Sequence, residues 1–169
     1  MEISTRLVKD SDAAAIVALL NPIIAAGTYT AMTETFSAAD QLDFIRNFPQ
    51  RGIYHIALDG DHQNALGIQD VMPISTSNVF RHVGEISTFV ALDAHRHGVG
   101  QSLCRATFRA AKELGYLKLR ATVRGDNPHA LAFYQSQGFE LIGIAKKHAW
   151  LHGKYIDEVL LEKFWLSRF

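Results

Sequence analysis

A single cysteine, Cys104, excludes an intrachain disulfide. It fits a reducing compartment, so a cytoplasmic location is expected. No His or Asp stands beside Cys104 in sequence, and it reads as a small buried hydrophobe in a helix rather than as a nucleophile. Charge of one sign is missing too. The 17 Lys and Arg balance the 17 Asp and Glu, which argues against a dedicated nucleic-acid binder though not against a local basic patch. Long apolar runs are lacking. The most apolar stretch, AAAIVALLNPIIAA (13–26), is interrupted by Asn21-Pro22 and falls short of the roughly 20 residues that span a bilayer. Glu2 and Arg6 precede no apolar core with a cleavage site, so no membrane partner is expected. No repeat, low-complexity segment or linker divides the 169 residues. One domain over 1–169 is expected, large enough to fold without disulfide or metal.

What is present is a regular alternation of patterns. ISTRLV (3–8) alternates apolar and polar residues and predicts a strand. Asp10 is placed to cap a helix from 11 to about 20, and Pro22 to kink or restart it. Ser37 caps a second helix with Leu42, Ile45 and Phe48 on one face. IYHIAL (53–58), the turn DGDHQN (59–64) and ALGIQDVMPIS (65–75) predict a hairpin, and EISTFVAL (85–92) a further strand. Val99, Leu103, Ala106, Ala110 and Leu114 form a helical stripe ended by Gly115. Strand LKLRATV (117–123), a short helix opened by Asn127-Pro128 and ended by Gly138, and strands 139–145 and 155–163 complete the chain. The order β α α β β β α β α β β predicts an α/β (α+β) fold: a mixed, mostly antiparallel sheet of six or seven strands flanked by about four helices.

HRHGVGQSL (95–103) puts two glycines and three basic side chains between a strand and a helix. N–H groups at a helix N-terminus lack intrahelical partners, and the helix dipole adds positive charge there. Glycines let backbone approach a ligand closely. Such a corner suits a phosphate, although a plain strand-to-helix turn has the same composition. A dinucleotide-binding fingerprint needs a third glycine that GVGQSL lacks. A Walker A loop needs Gly-Lys-Ser/Thr, also absent. His95 and His97 have no evident third ligand beyond Asp93, so no metal is expected.

VALDAHRHGVGQSL resembles the acyl-CoA loop of the GNAT acetyltransferase superfamily, Gln/Arg-x-x-Gly-x-Gly/Ala, with Gly98 and Gly100 in place and His95 where the family prefers Gln or Arg. NPHALAFYQSQGF (127–139) is similar to the family's Asn-x-x-Ala-x-x-x-Tyr-x-x-x-Gly-Phe segment. The likeness runs from about Arg6 to Glu162 and is greatest to the branch containing phosphinothricin acetyltransferase. It rests there on GTYTAMTETFS, on Glu85 five residues before Val90, and on HGKYIDEVLL. Phe89 and Tyr134 depart from that branch, which commonly has Tyr and His, so the herbicide itself is not implied as substrate.

The resemblance implies transfer from acetyl-CoA, the cosubstrate, to a primary amine. This requires a proton acceptor, a polarised carbonyl and a proton for the leaving thiolate. It implies Glu85 as base and Tyr134 as acid. His95, Arg96, His97, Gly98, Val99, Gly100 and Gln101 would hold the coenzyme's phosphates. Val90 and Ala91 would present backbone groups to the pantetheine arm where two strands splay, the Val90 N–H polarising the thioester, and Asn127 would bond the arm. Asn127 is equally a good N-cap, Tyr134 a good core aromatic and Glu85 a good strand-end charge. Arg81 is a candidate clamp for a substrate carboxylate, with Tyr29 and Thr30 on the acceptor side. The expected acceptor is a small amine, an amino acid or analogue, in a cleft walled by 26–36 and 148–155. A peptide N-terminus or lysine, and a non-catalytic acyl-CoA sensor, are the alternatives. A homodimer is left open.

Overall fold

Residues 2–62 and 64–165 are described in a computed structural model of the chain. They carry seven strands and four helices in the expected order. The strands are β1 (Ile3–Leu7), β2 (Ile53–Asp59), β3 (Ala65–Pro73), β4 (Val83–Val90), β5 (Lys118–Arg124), β6 (Glu140–Leu151) and β7 (Lys154–Phe164). The helices are α1 (Ala13–Ala26), α2 (Ala38–Arg46), α3 (Val99–Glu113) and α4 (Pro128–Ser136). One sheet runs in the order β1-β2-β3-β4-β5-β7-β6. Only the β4–β5 pair is parallel, joined by a crossover through α3; the other neighbours are antiparallel. Met1, Gln63 and residues 166–169 of the expected domain lie outside the described residues.

Alternation along β2 divides the core. Tyr54, Ile56 and Leu58 pack with Ile16, Leu19, Leu20, Ile23 and Ile24 of α1. Ala57 faces the other way, toward Val99 and Leu103 of α3. The sheet is thus sandwiched between helices, as a strand's two-residue period requires.

Several local expectations are corrected. Helix α1 does not break at Pro22 but runs on to Ala26, because Ile23 and Ile24 continue the buried stripe of Ile16, Leu19 and Leu20 and packing outweighs the lost N–H. Asp10 does not cap it. Asp10 pairs with Arg46 at 2.8 Å, while Asp12 accepts from the Lys9 N–H at 2.7 Å and from both terminal nitrogens of Arg6. The buried edge of α3 is Val99, Leu103, Cys104, Thr107 and Ala111, with Leu114 exposed. Strand β6 extends to Leu151 because a register shift between Ala145 and Ala149 lets it bulge and continue. Ser37 does cap α2, accepting from the Asp40 N–H at 3.1 Å.

Candidate active site

Strands β4 and β5 pair only over Val83–Glu85 and Lys118–Arg120. Beyond Glu85 the two part, and β5 keeps pairing with β7 alone. On its other side β4 stays registered with β3 up to Val90 opposite Gly67. The Ala91 N–H donates to the Leu66 carbonyl at 2.9 Å. Alternation of an antiparallel ladder then turns the backbone groups of Thr88 and Val90 toward the opened side. The splay leaves these backbone groups without a strand partner on that side, at the mouth of a cleft.

That cleft, of about 880 Å³, runs between the splay, the N-terminus of α3 and one face of α4. It is lined by Val90, His95, Arg96, Gly98, Val99, Gly100, Gln101, Asn127 and Tyr134. His97 and Ala91 do not line it. Both backbone groups of Ala91 are committed within the protein, the carbonyl accepting from the Ala94 N–H. Gly98 stands before α3 with φ +82°, a left-handed conformation that glycine adopts without strain. No side chain caps this helix. Its first bond, Ser102 N–H to the Gly98 carbonyl at 3.0 Å, leaves the N–H groups of Val99, Gly100 and Gln101 at its open end. The His95 ring is exposed but turned back toward the end of β4. Its Nε2 lies 3.2 Å from the Val90 carbonyl oxygen, and the ring meets Tyr29 edge-on at 5.9 Å. Asn127 caps α4, accepting from the Ala130 N–H at 3.1 Å, and donates to the Tyr29 carbonyl at 3.3 Å.

Tyr134 is buried, with its hydroxyl 2.9 Å from Thr88 Oγ1. Thr88 Oγ1 also accepts from Gln69 Nε2 at 2.8 Å. Burial raises the phenol above its ordinary range, so it remains a proton donor at neutral pH. Cys104 Sγ accepts from the same Gln69 amide at 3.3 Å. Burial pushes this thiol up to about 11, which leaves it unreactive, as its sequence context suggests.

On the far side of Thr88 and Tyr134 lies a second cleft of about 800 Å³, which shares Tyr29, Thr88, Phe89, Ala130 and Tyr134 with the first. Thr30, Asp40, Asp70, Glu85, Arg124 and Glu158 line it. Its outer wall is the loop between α1 and α2. Asn21 exchanges two bonds with the Phe36 backbone, at 2.9 and 3.0 Å. The Arg124 guanidinium donates to the Gly27 and Thr30 carbonyls at 2.8 Å each. The same guanidinium grips both Asp126 oxygens at 2.8 Å, so four of its N–H bonds are committed within the protein. Residues 148–155 do not line this cleft, which takes Glu158 from β7 instead.

Glu85 sits where β4 and β5 part, its carboxylate accepting from Arg120 at 2.9 Å and Thr122 at 3.2 Å. Arg81, the expected carboxylate clamp, does not line the second cleft. It closes a one-turn 3-10 helix (Asn78–Phe80), is exposed, and lies outside the cleft lining, where its carbonyl accepts from Arg51. Sequence reasoning missed Asp70. The residue stands on β3 opposite Ser87 and faces the second cleft. Burial first, and the Glu85 charge second, push its carboxyl up to about 7. A lone acid inside an apolar strand was the available signal. Among the described residues no three His, Cys, Asp or Glu side chains are grouped so as to hold a metal ion.

A family model for the GNAT acetyltransferase domain matches residues 5–160. The chain belongs to the GNAT acetyltransferase family, an acyltransferase of the acetyl-CoA-dependent kind. It is 26% identical over 156 residues to YwnH of Bacillus subtilis (strain 168), a candidate phosphinothricin acetyltransferase, covering 92% of this chain and 95% of that one. Among solved structures it is similar to a phosphinothricin acetyltransferase from Sinorhizobium meliloti in complex with acetyl-CoA, with TM-score 0.87 and 22% identity over 97% of this chain and 89% of that one. It is similar also to a ribosomal-protein-alanine N-acetyltransferase from Brucella melitensis, with TM-score 0.88 and 21% identity over 96% and 99%. At these identities the structural likeness speaks for the fold.

Proposed function

We propose that the chain transfers the acetyl group of acetyl-CoA to the primary amine of a small cationic molecule. The observation that carries this reading is the meeting of two clefts at Thr88 and Tyr134 beneath the β4–β5 splay. In this reading the pyrophosphate rests on the open end of α3 with Arg96 beside it, and the pantetheine arm follows the free edge of β4. The Val90 N–H polarises the thioester carbonyl. The acceptor's ammonium gives a proton to a carboxylate of the second cleft, Asp70 or Glu85, and the freed nitrogen attacks. The C–S bond breaks, and Tyr134 protonates the thiolate.

The lining of the second cleft argues for the acceptor's charge. Asp40, Asp70, Glu85 and Glu158 face it, and Arg124 is engaged by Asp126 and two carbonyls. That surface favours an amine without a carboxylate over an amino acid. A cleft of about 800 Å³ walled on one side by a tethered loop has the size of a small-molecule site, which supports a small molecule over a peptide. Thiol release from acetyl-CoA with 1,5-diaminopentane and with lysine, which differ by one carboxylate, tests the reading. The diamine is expected to have a kcat/KM at least tenfold higher. Equal or better turnover of lysine would refute the cationic acceptor. Thiol release with a peptide N-terminus and with neither small amine would refute the small-molecule class.

A further inference from the structure

The second cleft contains a carboxylate that no matched motif reaches. The β3–β4 register puts Ile68, Asp70 and Met72 on the same face as Phe89, Ser87 and Glu85. Asp70 is mostly enclosed, and no N–H or O–H among the described residues donates to its side chain. Glu85, by contrast, already holds two donors. A buried carboxylate left without a partner is costly, and this one faces a cleft open to a cation from outside.

We propose that Asp70 is a catalytic residue: it binds the acceptor's ammonium and takes the proton whose loss frees the attacking nitrogen. This rests on acetyl transfer to a small amine as proposed above. Distance along the strands favours Asp70 over Glu85. Asp70 lies three residues from Gly67, the partner of Val90, whereas Glu85 lies five residues from Val90. At about 3.4 Å per residue the offsets are roughly 10 Å and 17 Å. An aspartate with a small amine bonded to it bridges much of the first distance, whereas the second needs intervening water. Asp70 is also close enough to Tyr134 for its charge to help hold the phenol protonated.

The titratable and charged groups that line the cleft with Asp70 are Tyr29 from the α1–α2 loop, Asp40 from α2, Tyr54 from β2, Glu85 from β4, Arg124 from β5, Tyr134 from α4 and Glu158 from β7. Glu85 adds to the upward push of burial. A base that titrates near working pH is well matched to its task. The protons balance. The ammonium gives its first proton to the Asp70 carboxylate, which passes it to solvent. The nitrogen attacks the thioester carbon, the C–N bond forms and the C–S bond breaks. Tyr134 protonates the departing thiolate, and the second nitrogen proton, lost as the amide forms, restores the phenol.

The test is kcat/KM for 1,5-diaminopentane against pH in wild type, Asp70→Asn and Glu85→Gln, with acetyl-CoA affinity measured in parallel. The wild type should show a limb near pH 7. Asp70→Asn should lose that limb and on the order of a hundredfold in rate at pH 7, with acetyl-CoA affinity unchanged. Glu85→Gln should retain the limb but shift it to lower pH, since a negative neighbour has gone. A ¹³C titration of the side-chain carboxyls in the unliganded protein needs no acceptor. A carboxyl titrating near 7, absent in Asp70→Asn and shifted down in Glu85→Gln, is expected. An Asp70 carboxyl titrating near 4, or an Asp70→Asn variant with the wild-type limb and rate, overturns the proposal. Acetyl-CoA binding without turnover of any amine, alongside the expected titration, would instead overturn the transferase reading and the catalytic role that depends on it.

Discussion

The His95 ring turns back onto the strand it follows. With Nε2 3.2 Å from the Val90 carbonyl and Tyr29 in a T-shaped contact with the ring, the imidazole takes up the acceptor that a pantetheine amide would use. For that bond Nε2 carries the proton. His97 lies outside the cleft lining, so of the three basic side chains Arg96 alone is left free toward the open end of α3. Arg96→Ala is expected to weaken acetyl-CoA binding about three- to tenfold at low salt and less at high salt, as an exposed charge should. His95→Ala is expected to leave the affinity within twofold of wild type or to tighten it, because it frees the Val90 carbonyl. Calorimetric titration at two ionic strengths checks both. A larger loss from His95→Ala than from Arg96→Ala would put the imidazole on the phosphates after all. The residue types of the corner were legible in the sequence; the direction of each side chain was not, because it depends on how the strand end and the α1–α2 loop meet.

Helices α3 and α4 carry the two recognisable motifs, and they touch at Gly100. A Cβ there would lie 2.7 Å from a ring carbon of Phe133. The glycine is therefore a packing requirement between elements as well as a place for close ligand approach. Gly100→Val should lower stability by roughly 1–3 kcal/mol through overpacking and weaken acetyl-CoA binding with it. Phe133→Ala in the same chain should recover part of the stability but not the affinity. Thermal melts with and without acetyl-CoA separate the two effects. A fully stable Gly100→Val that has lost affinity would show that the glycine serves the ligand alone. Elements of this kind were readable because apolar periodicity and Gly/Pro punctuation mark where they start and stop. The order of all eleven was recovered that way. What was not readable arose between elements. Pro22 stays inside α1 because Ile23 and Ile24 find β2 beneath them. The β4–β5 splay, expected at Val90 from the resemblance, already opens after Glu85, which only the pairing of the two strands reveals. Asp70 becomes a site residue only once β3 is laid beside β4.

Across the whole molecule, pH sets two kinds of group against each other. Asp12, held below the usual carboxylate range first by its bonds from Arg6, stabilises the fold above about pH 4, and that contribution is lost as pH falls through its folded value. His55, lowered first by burial beside Thr107 and then by the Arg109 charge, costs the fold nothing while neutral above about pH 6.5 and destabilises it increasingly as pH falls below that. Asp70 works the other way. Its folded carboxyl is raised to about 7, so the folded state binds the extra proton, and stability falls as pH rises from about 4 through 7. Above that window the ionised group costs the fold on the order of 2–4 kcal/mol. Asp70→Asn keeps the shape and removes the charge. It should therefore melt roughly 4–12 °C above wild type at pH 8 and close to wild type at pH 4, while being the slower enzyme. Melting curves of both proteins at pH 4, 6 and 8 check this without any substrate. A gain that is equal at every pH would come from packing and not from ionisation. No gain at pH 8 would mean that the carboxylate already has a compensating partner in the folded protein, and an acid so satisfied would have neither the raised pKa nor the vacancy for an ammonium that the cleft requires of it.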